Sequence, residues 1–191
     1  MAGLAEHGIC KMLSESRLSN SVWALKQILD SNVLLALKGD TMLITELLIQ
    51  KTQAFGIMAY FGPIIIGLVY ITLMSLIPEL NRKKFNAIMV AGAGAAYLNG
   101  GFGPLEFAFT TVMTYLAFRG LEDYRFIGVA WLAHTCWDFA HFLYGNPIVP
   151  FVATSSFGCA ICDPVIALWC FAGGPSVFEV LHHRIGSRKL I

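Results

Sequence analysis

Residues 84–119 read KFNAIMVAGAGAAYLNGGFGPLEFAFTTVMTYLAFR, and Glu106 is the only charged side chain between the bounding Lys84 and Arg119. In its middle lies a turn-forming run, Asn99-Gly100-Gly101-Phe102-Gly103-Pro104. Arg82, Lys83 and Lys84 precede the stretch and Arg119 and Arg125 follow it, so the chain leaves a basic side, turns, and comes back to it. An apolar excursion bounded by lysine and arginine on one side is the pattern of a membrane hairpin with a cytoplasmic base. The arms, Phe85–Leu98 and Pro104–Phe118, are short for spans, which implies little tilt or local thinning of the bilayer.

The same map extends in both directions. No lysine or arginine occurs between Arg125 and Arg184, so a second hairpin is expected, with arms Phe126–Tyr144 and Ile148 to about Gly173 and a turn at Gly145-Asn146-Pro147. Upstream, Phe55–Pro78 is apolar and long enough to cross about 30 Å of hydrocarbon. The expected fold is therefore an all-α, polytopic transmembrane helix bundle of about five spans, its C-terminus cytoplasmic and its N-terminus outside. Residues 51–178 form the core and 179–191 a basic cytoplasmic tail. Residues 1–51 hold five basic and five acidic side chains, which give no directional bias. An imperfect apolar stripe, Val22, Trp23, Leu25, Ile28, Leu29 and Val33, makes residues 1–50 an amphipathic interfacial extension; an unstructured one is the alternative.

Composition agrees with lipid contact. Of 191 residues, 57% are hydrophobic and 13% charged, and the mean hydropathy is +0.66; a soluble domain needs about 25% charged residues to cover its surface. A net charge of +1 excludes a polybasic nucleic-acid binder. No glycine loop joins a strand to a helix, so no nucleotide cofactor is expected. Ala91-Gly92-Ala93-Gly94-Ala95-Ala96 marks a helix that neighbours approach closely.

Chemistry rests with polar residues inside the apolar segments, since ionisable groups there are costly and call for a reason. His134, Asp138 and His141 follow one another at offsets of four and seven, within roughly 60° of one another on a helix. Histidine and carboxylate in one stripe can hold a divalent ion, or the carboxylate can orient a histidine acting as acid or base; a hydrogen-bonded stripe that only fixes packing is the plainer alternative. In Thr154-Ser155-Ser156-Phe157-Gly158-Cys159-Ala160-Ile161-Cys162-Asp163-Pro164, Cys159 and Cys162 could complete a metal shell or form a redox pair. Asp163-Pro164 also reads as a helix start, which would make the last span discontinuous and line a polar space in mid-membrane. Glu106, in the first turn after Gly103-Pro104, suits either the helix dipole or the polar site. Counted by depth, Asn99, Glu106, Asp138, His141, Cys159 and Asp163 all fall in the outer half.

These motifs carry a resemblance. The run 85–101, YRFIG at 124–128, HxxxDxxHxxYGNP at 134–147 and SSxGCAxCD at 155–163 are similar to a family of small, mainly bacterial integral-membrane proteins of unknown function, over roughly residues 60–178. The resemblance implies a compact multi-span helical fold in a bacterial inner membrane and supplies no activity. The expected function is a metal-dependent intramembrane enzyme acting on a lipid-like substrate. Metal ligands would be His134, Asp138, His141, Cys159 and Cys162, with Asp163 and Glu106 as catalytic carboxylates. Zinc is the favoured ion, with iron or manganese as alternatives. A small transporter or ion-binding protein and a structural, partner-binding subunit are the competing functions. The expected partners are the bilayer, a lipid-like substrate and further copies of the chain, with no nucleic acid.

Overall fold

The computed structural model describes residues 38–53, 55–98, 100–149 and 151–188; the stripe at 22–33 and Asn99 lie outside them. Every regular element among the described residues is a helix. The chain divides into two units, Met1–Gln53 and Ala54–Ile191. In the first, helix α1 covers residues 38–52 and exposes Met42, Leu43, Ile44 and Ile49. The second contains α2 (Met58–Met74), α3 (Glu79–Gly94), α4 (Pro104–Gly120), α5 (Tyr124–Tyr144), α6 (Ser155–Phe171) and α7 (Val177–Arg188).

Local chemistry sets the ends of these helices. Pro104 opens α4 at a position that needs no N–H. Asp123 caps α5, its carboxylate accepting from the Arg125 N–H at 2.9 Å. Gly145 closes α5 in the left-handed conformation, φ 87°, and the Asn146 N–H reaches back to the His141 carbonyl at 3.0 Å, the Schellman arrangement.

Helix α5 packs on α6 and α4, α6 also takes α2, and α3 lies against α4 and α5. Gly94 shows how close the approach is: a Cβ there would stand 2.4 Å from the Met113 Cβ of α4, so the small-residue run brings two backbones together. On α2 the buried positions are Pro63, Gly67, Ile71 and Met74, a narrow stripe, while Ile64, Ile65, Ile66, Leu68, Val69 and Leu73 are exposed. Meanwhile Arg82, Asn86, Glu106, His134, Asp138, His141, Ser156 and Asp163 are buried. These polar side chains share the interior with an apolar cluster that includes Ile71, Val90, Met113, Ile127, Trp131 and Ile166.

Two expectations change. Helices α2–α6 occupy the five expected segments, yet among the described residues no helix is long and apolar enough to cross a membrane. Four of the five have 16 or 17 residues, and α3 begins with the charged Glu79-Leu80-Asn81-Arg82-Lys83-Lys84. The last segment is also not discontinuous. Helix α6 runs unbroken from Ser155 through Pro164, and in its first turn Ser155 and Ser156 accept the N–H groups of Val149 and Ile148, each at 3.0 Å. Asp163 therefore caps nothing, and its carboxylate is free to turn inward.

Candidate metal centre

The stripe on α5 meets α6 at one point. His134 Nδ1 lies 2.8 Å from Asp138 Oδ2 and 2.9 Å from Asp163 Oδ2, while Nε2 lies 2.8 Å from the Ala93 carbonyl of α3. The relative exposures of His134, Asp138 and Asp163 are 2%, 0% and 4%. The Ala93 carbonyl can only accept, so Nε2 carries a hydrogen. Nδ1 then faces two carboxylate oxygens, and a cation must sit among the three atoms. It is a proton, on Nδ1 as an imidazolium or on one of the carboxyl oxygens, or a metal ion bound to the Nδ1 lone pair and one oxygen of each aspartate. A carbonyl that holds the far ring nitrogen is the usual way a ligating histidine is oriented.

The three ligand atoms lie within 4.8 Å of one another. Ligand atoms about 2.1 Å from a tetrahedral ion stand about 3.4 Å apart, so an ion would lengthen the two separations between His134 Nδ1 and the aspartates by about half an ångström. Three protein ligands leave a position for water.

Tyr97 closes the site from the turn after α3. Its hydroxyl lies 2.7 Å from Asp138 Oδ1 and 2.8 Å from Ser156 Oγ, and Ser156 in turn donates to the Asn146 carbonyl at 3.1 Å. The Tyr97 ring stacks on His141 with centroids 3.8 Å apart. In the sequence this tyrosine stands only within the run 85–101 and is not among the candidate site residues. A signal existed, since Asn86, Val90, Gly94 and Tyr97 follow the buried stripe of α3 at helical spacing.

His141 belongs to a second pair. Its Nε2 is 3.1 Å from Glu106 Oε1 but off the line of a hydrogen bond. Glu106 Oε2 accepts from Trp137 Nε1 at 2.9 Å, and Oε1 from the Phe102 N–H at 3.3 Å. Glu106 thus serves the start of α4 and a buried polar pair together. Gly100 covers the pair: a Cβ there would stand 2.6 Å from Glu106 Oε1 and 2.9 Å from His141 Cε1. An offset of seven residues puts His141 about 10 Å along the axis from His134, and His141 is not in the group formed by His134, Asp138 and Asp163.

Cys159 and Cys162 are half-buried free thiols and stand outside the group of three. They line a cleft of about 370 Å³ between α2 and α6, with Met58, Gly62, Pro63 and Ile66. The structure thus brings together His134, Asp138 and Asp163, pairs Glu106 with His141, and turns the two cysteines to the cleft.

No curated protein and no solved structure matches the chain. Residues 58–176, from α2 to the threshold of α7, match a family of unknown function (DUF6010). That span holds His134, Asp138, Asp163, Tyr97, Glu106 and His141, and the chain belongs to this family.

Proposed function

We propose that the chain is a membrane-embedded, divalent-metal-dependent enzyme whose ion is held by His134, Asp138 and Asp163. The observation that carries the reading is the Ala93 carbonyl on His134 Nε2, which leaves Nδ1 facing both carboxylates as a ligand. When bound, the metal would lower the pKa of a coordinated water and make it a nucleophile. The chain's own residues orient the ligands: Tyr97 holds Asp138, and Ser156 holds Tyr97. One imidazole with two carboxylates is a harder donor set than one with thiolates, so manganese and iron compete with zinc.

The apolar exterior of α2 and the buried ionisable groups support the bilayer as surroundings. With helices this short, the reading requires a locally thinned bilayer. The apolar cleft between α2 and α6 supports a lipid-like substrate entering from the side.

The test is elemental analysis of the full chain purified without chelator, beside Asp163→Asn and His134→Ala. Near-stoichiometric metal in the wild type, lost in both variants, is expected. Absence of metal from the wild type after incubation with manganese, iron and zinc would overturn the reading. A second reading then stands, favoured by the 2.8 and 2.9 Å contacts: His134 is an imidazolium clamped between two carboxylates, and the site joins α5 to α6 without an ion.

A further inference from the structure

The proposed centre makes no use of Cys159 and Cys162. They stand three residues apart on α6, an offset at which helical side chains are neighbours with Cβ atoms about 5–6 Å apart. Both thiols are free and half-buried, and both line the cleft between α2 and α6. The two helices touch on either side of Cys159. A Cβ at Gly158 would stand 3.5 Å from Pro63 Cγ, and one at Gly67 would stand 3.3 Å from the Cys162 carbonyl oxygen. The turn that carries the thiols is therefore held against α2.

Spacing decides what the pair can do. A disulfide draws its Cβ atoms to about 3.5–4.5 Å, closer than an undistorted helix brings them at this offset. Two sulfurs on opposite sides of one ion, with bonds of about 2.3 Å, stand about 4.6 Å apart. Cβ atoms at helical spacing allow that separation by rotation of the side chains alone. The pair is better suited to holding an ion than to closing on itself.

Ligand number narrows the ion. Structural zinc and iron–sulfur clusters ask for four ligands. Among the described residues, neither thiol belongs to a group of three histidine, cysteine or carboxylate ligands. Monovalent copper is satisfied by two thiolates in line, and soft sulfur donors select it. Met58 lines the same cleft, and its thioether is a donor for copper(I) rather than for zinc. The carboxylates of Asp138 and Asp163 act electrostatically on both thiols, which favours a cation there.

We propose that Cys159 and Cys162 form a binding site for a monovalent, thiophilic metal ion, copper(I), entered through the α2–α6 cleft. Binding releases both thiol protons to solvent, forms two copper–sulfur bonds and leaves copper in its monovalent state. The site shares no residue with His134, Asp138 and Asp163, whose harder donors keep manganese, iron or zinc. It stands whether or not that centre holds an ion.

The test uses the full chain in detergent, reduced and kept free of oxygen, with copper(I) supplied as its coloured bicinchoninate complex. The wild type should withdraw a single equivalent of copper and bleach the complex to match. Cys159→Ser and Cys162→Ser should each lose that uptake, while Cys136→Ser, at an exposed thiol of α5, should keep it. Should the serine variants fail to fold, as melts without copper would show, mapping of maleimide adducts on the wild type decides. Copper(I) should shield Cys159 and Cys162 together and leave Cys136 reactive. No uptake by the wild type, uptake that survives in both folded serine variants, or failure to shield either thiol overturns the proposal.

Discussion

Asp163 of α6 places its Oδ2 2.9 Å from the Nδ1 of His134 on α5, across 29 residues of sequence. The contact joins the two most extensively packed helices of the unit through buried ionisable side chains. Without its cation, two carboxylates and an imidazole would crowd one another in a low-dielectric interior. The site therefore ties helix packing to whatever cation it holds.

Asp163→Asn keeps the shape and removes a charge. Metal affinity should fall by more than the about 10–100-fold typical of losing an outer partner, because a ligand itself is changed. Isothermal titration with manganese and zinc reads this, and equal affinity in both proteins would remove Asp163 from the site.

Tyr97→Phe should retain the stack on His141 and lose the contacts to Asp138 and Ser156. Leaving Asp138 Oδ1 unsatisfied should cost about 1–3 kcal/mol of stability and weaken metal binding about 10–100-fold. Thermal melts with and without metal separate the two effects; a wild-type melt in both conditions would show that the hydroxyl is idle.

Gly94→Ala and Gly92→Ala should act in opposite directions. At Gly94 a Cβ meets Met113 Cβ at 2.4 Å, whereas at Gly92 nothing lies within 4 Å. The first should destabilise by about 1–3 kcal/mol through overpacking, and the second should be neutral or stabilise by up to about 1 kcal/mol through helix propensity. Paired melts decide; equal melting temperatures would contradict the close α3–α4 contact.

Replacing Cys159 and Cys162 together by alanine should leave metal content unchanged, since both thiols line the α2–α6 cleft rather than the group of three. Both should react with a small apolar maleimide in the native protein. Loss of metal in the double variant would return the cysteines to the ligand set.

Much of this was legible in the residues. The gaps between Lys84 and Arg119 and between Arg125 and Arg184 located the helices α3–α6, because apolar runs broken by glycine and proline turns have few other ways to fold. Helical pitch put His134, Asp138 and His141 on one stripe. The same pitch also spreads them along the axis by 1.5 Å per residue, and His141 pairs with Glu106 instead of joining the group of three. Asp163-Pro164 misled for a local reason. The pair suits a helix start, but α6 already begins at Ser155, where Ser155 and Ser156 accept from the Val149 and Ile148 N–H groups, and it tolerates Pro164 within it.

By itself, then, the sequence determined an all-α chain, where its helices α2–α6 lie, and which side chains are too polar for their apolar surroundings. Those properties follow from composition and local periodicity, which neighbours along the chain decide. Only the tertiary structure decided that Asp163 meets His134, that Glu106 meets His141, that Tyr97 links the two pairs, and that the cysteines face a cleft. Partners across helices depend on the rotation and axial offset of one packed helix against another. Contacts such as Gly94 on Met113 set those offsets, and no periodicity within a single helix encodes them.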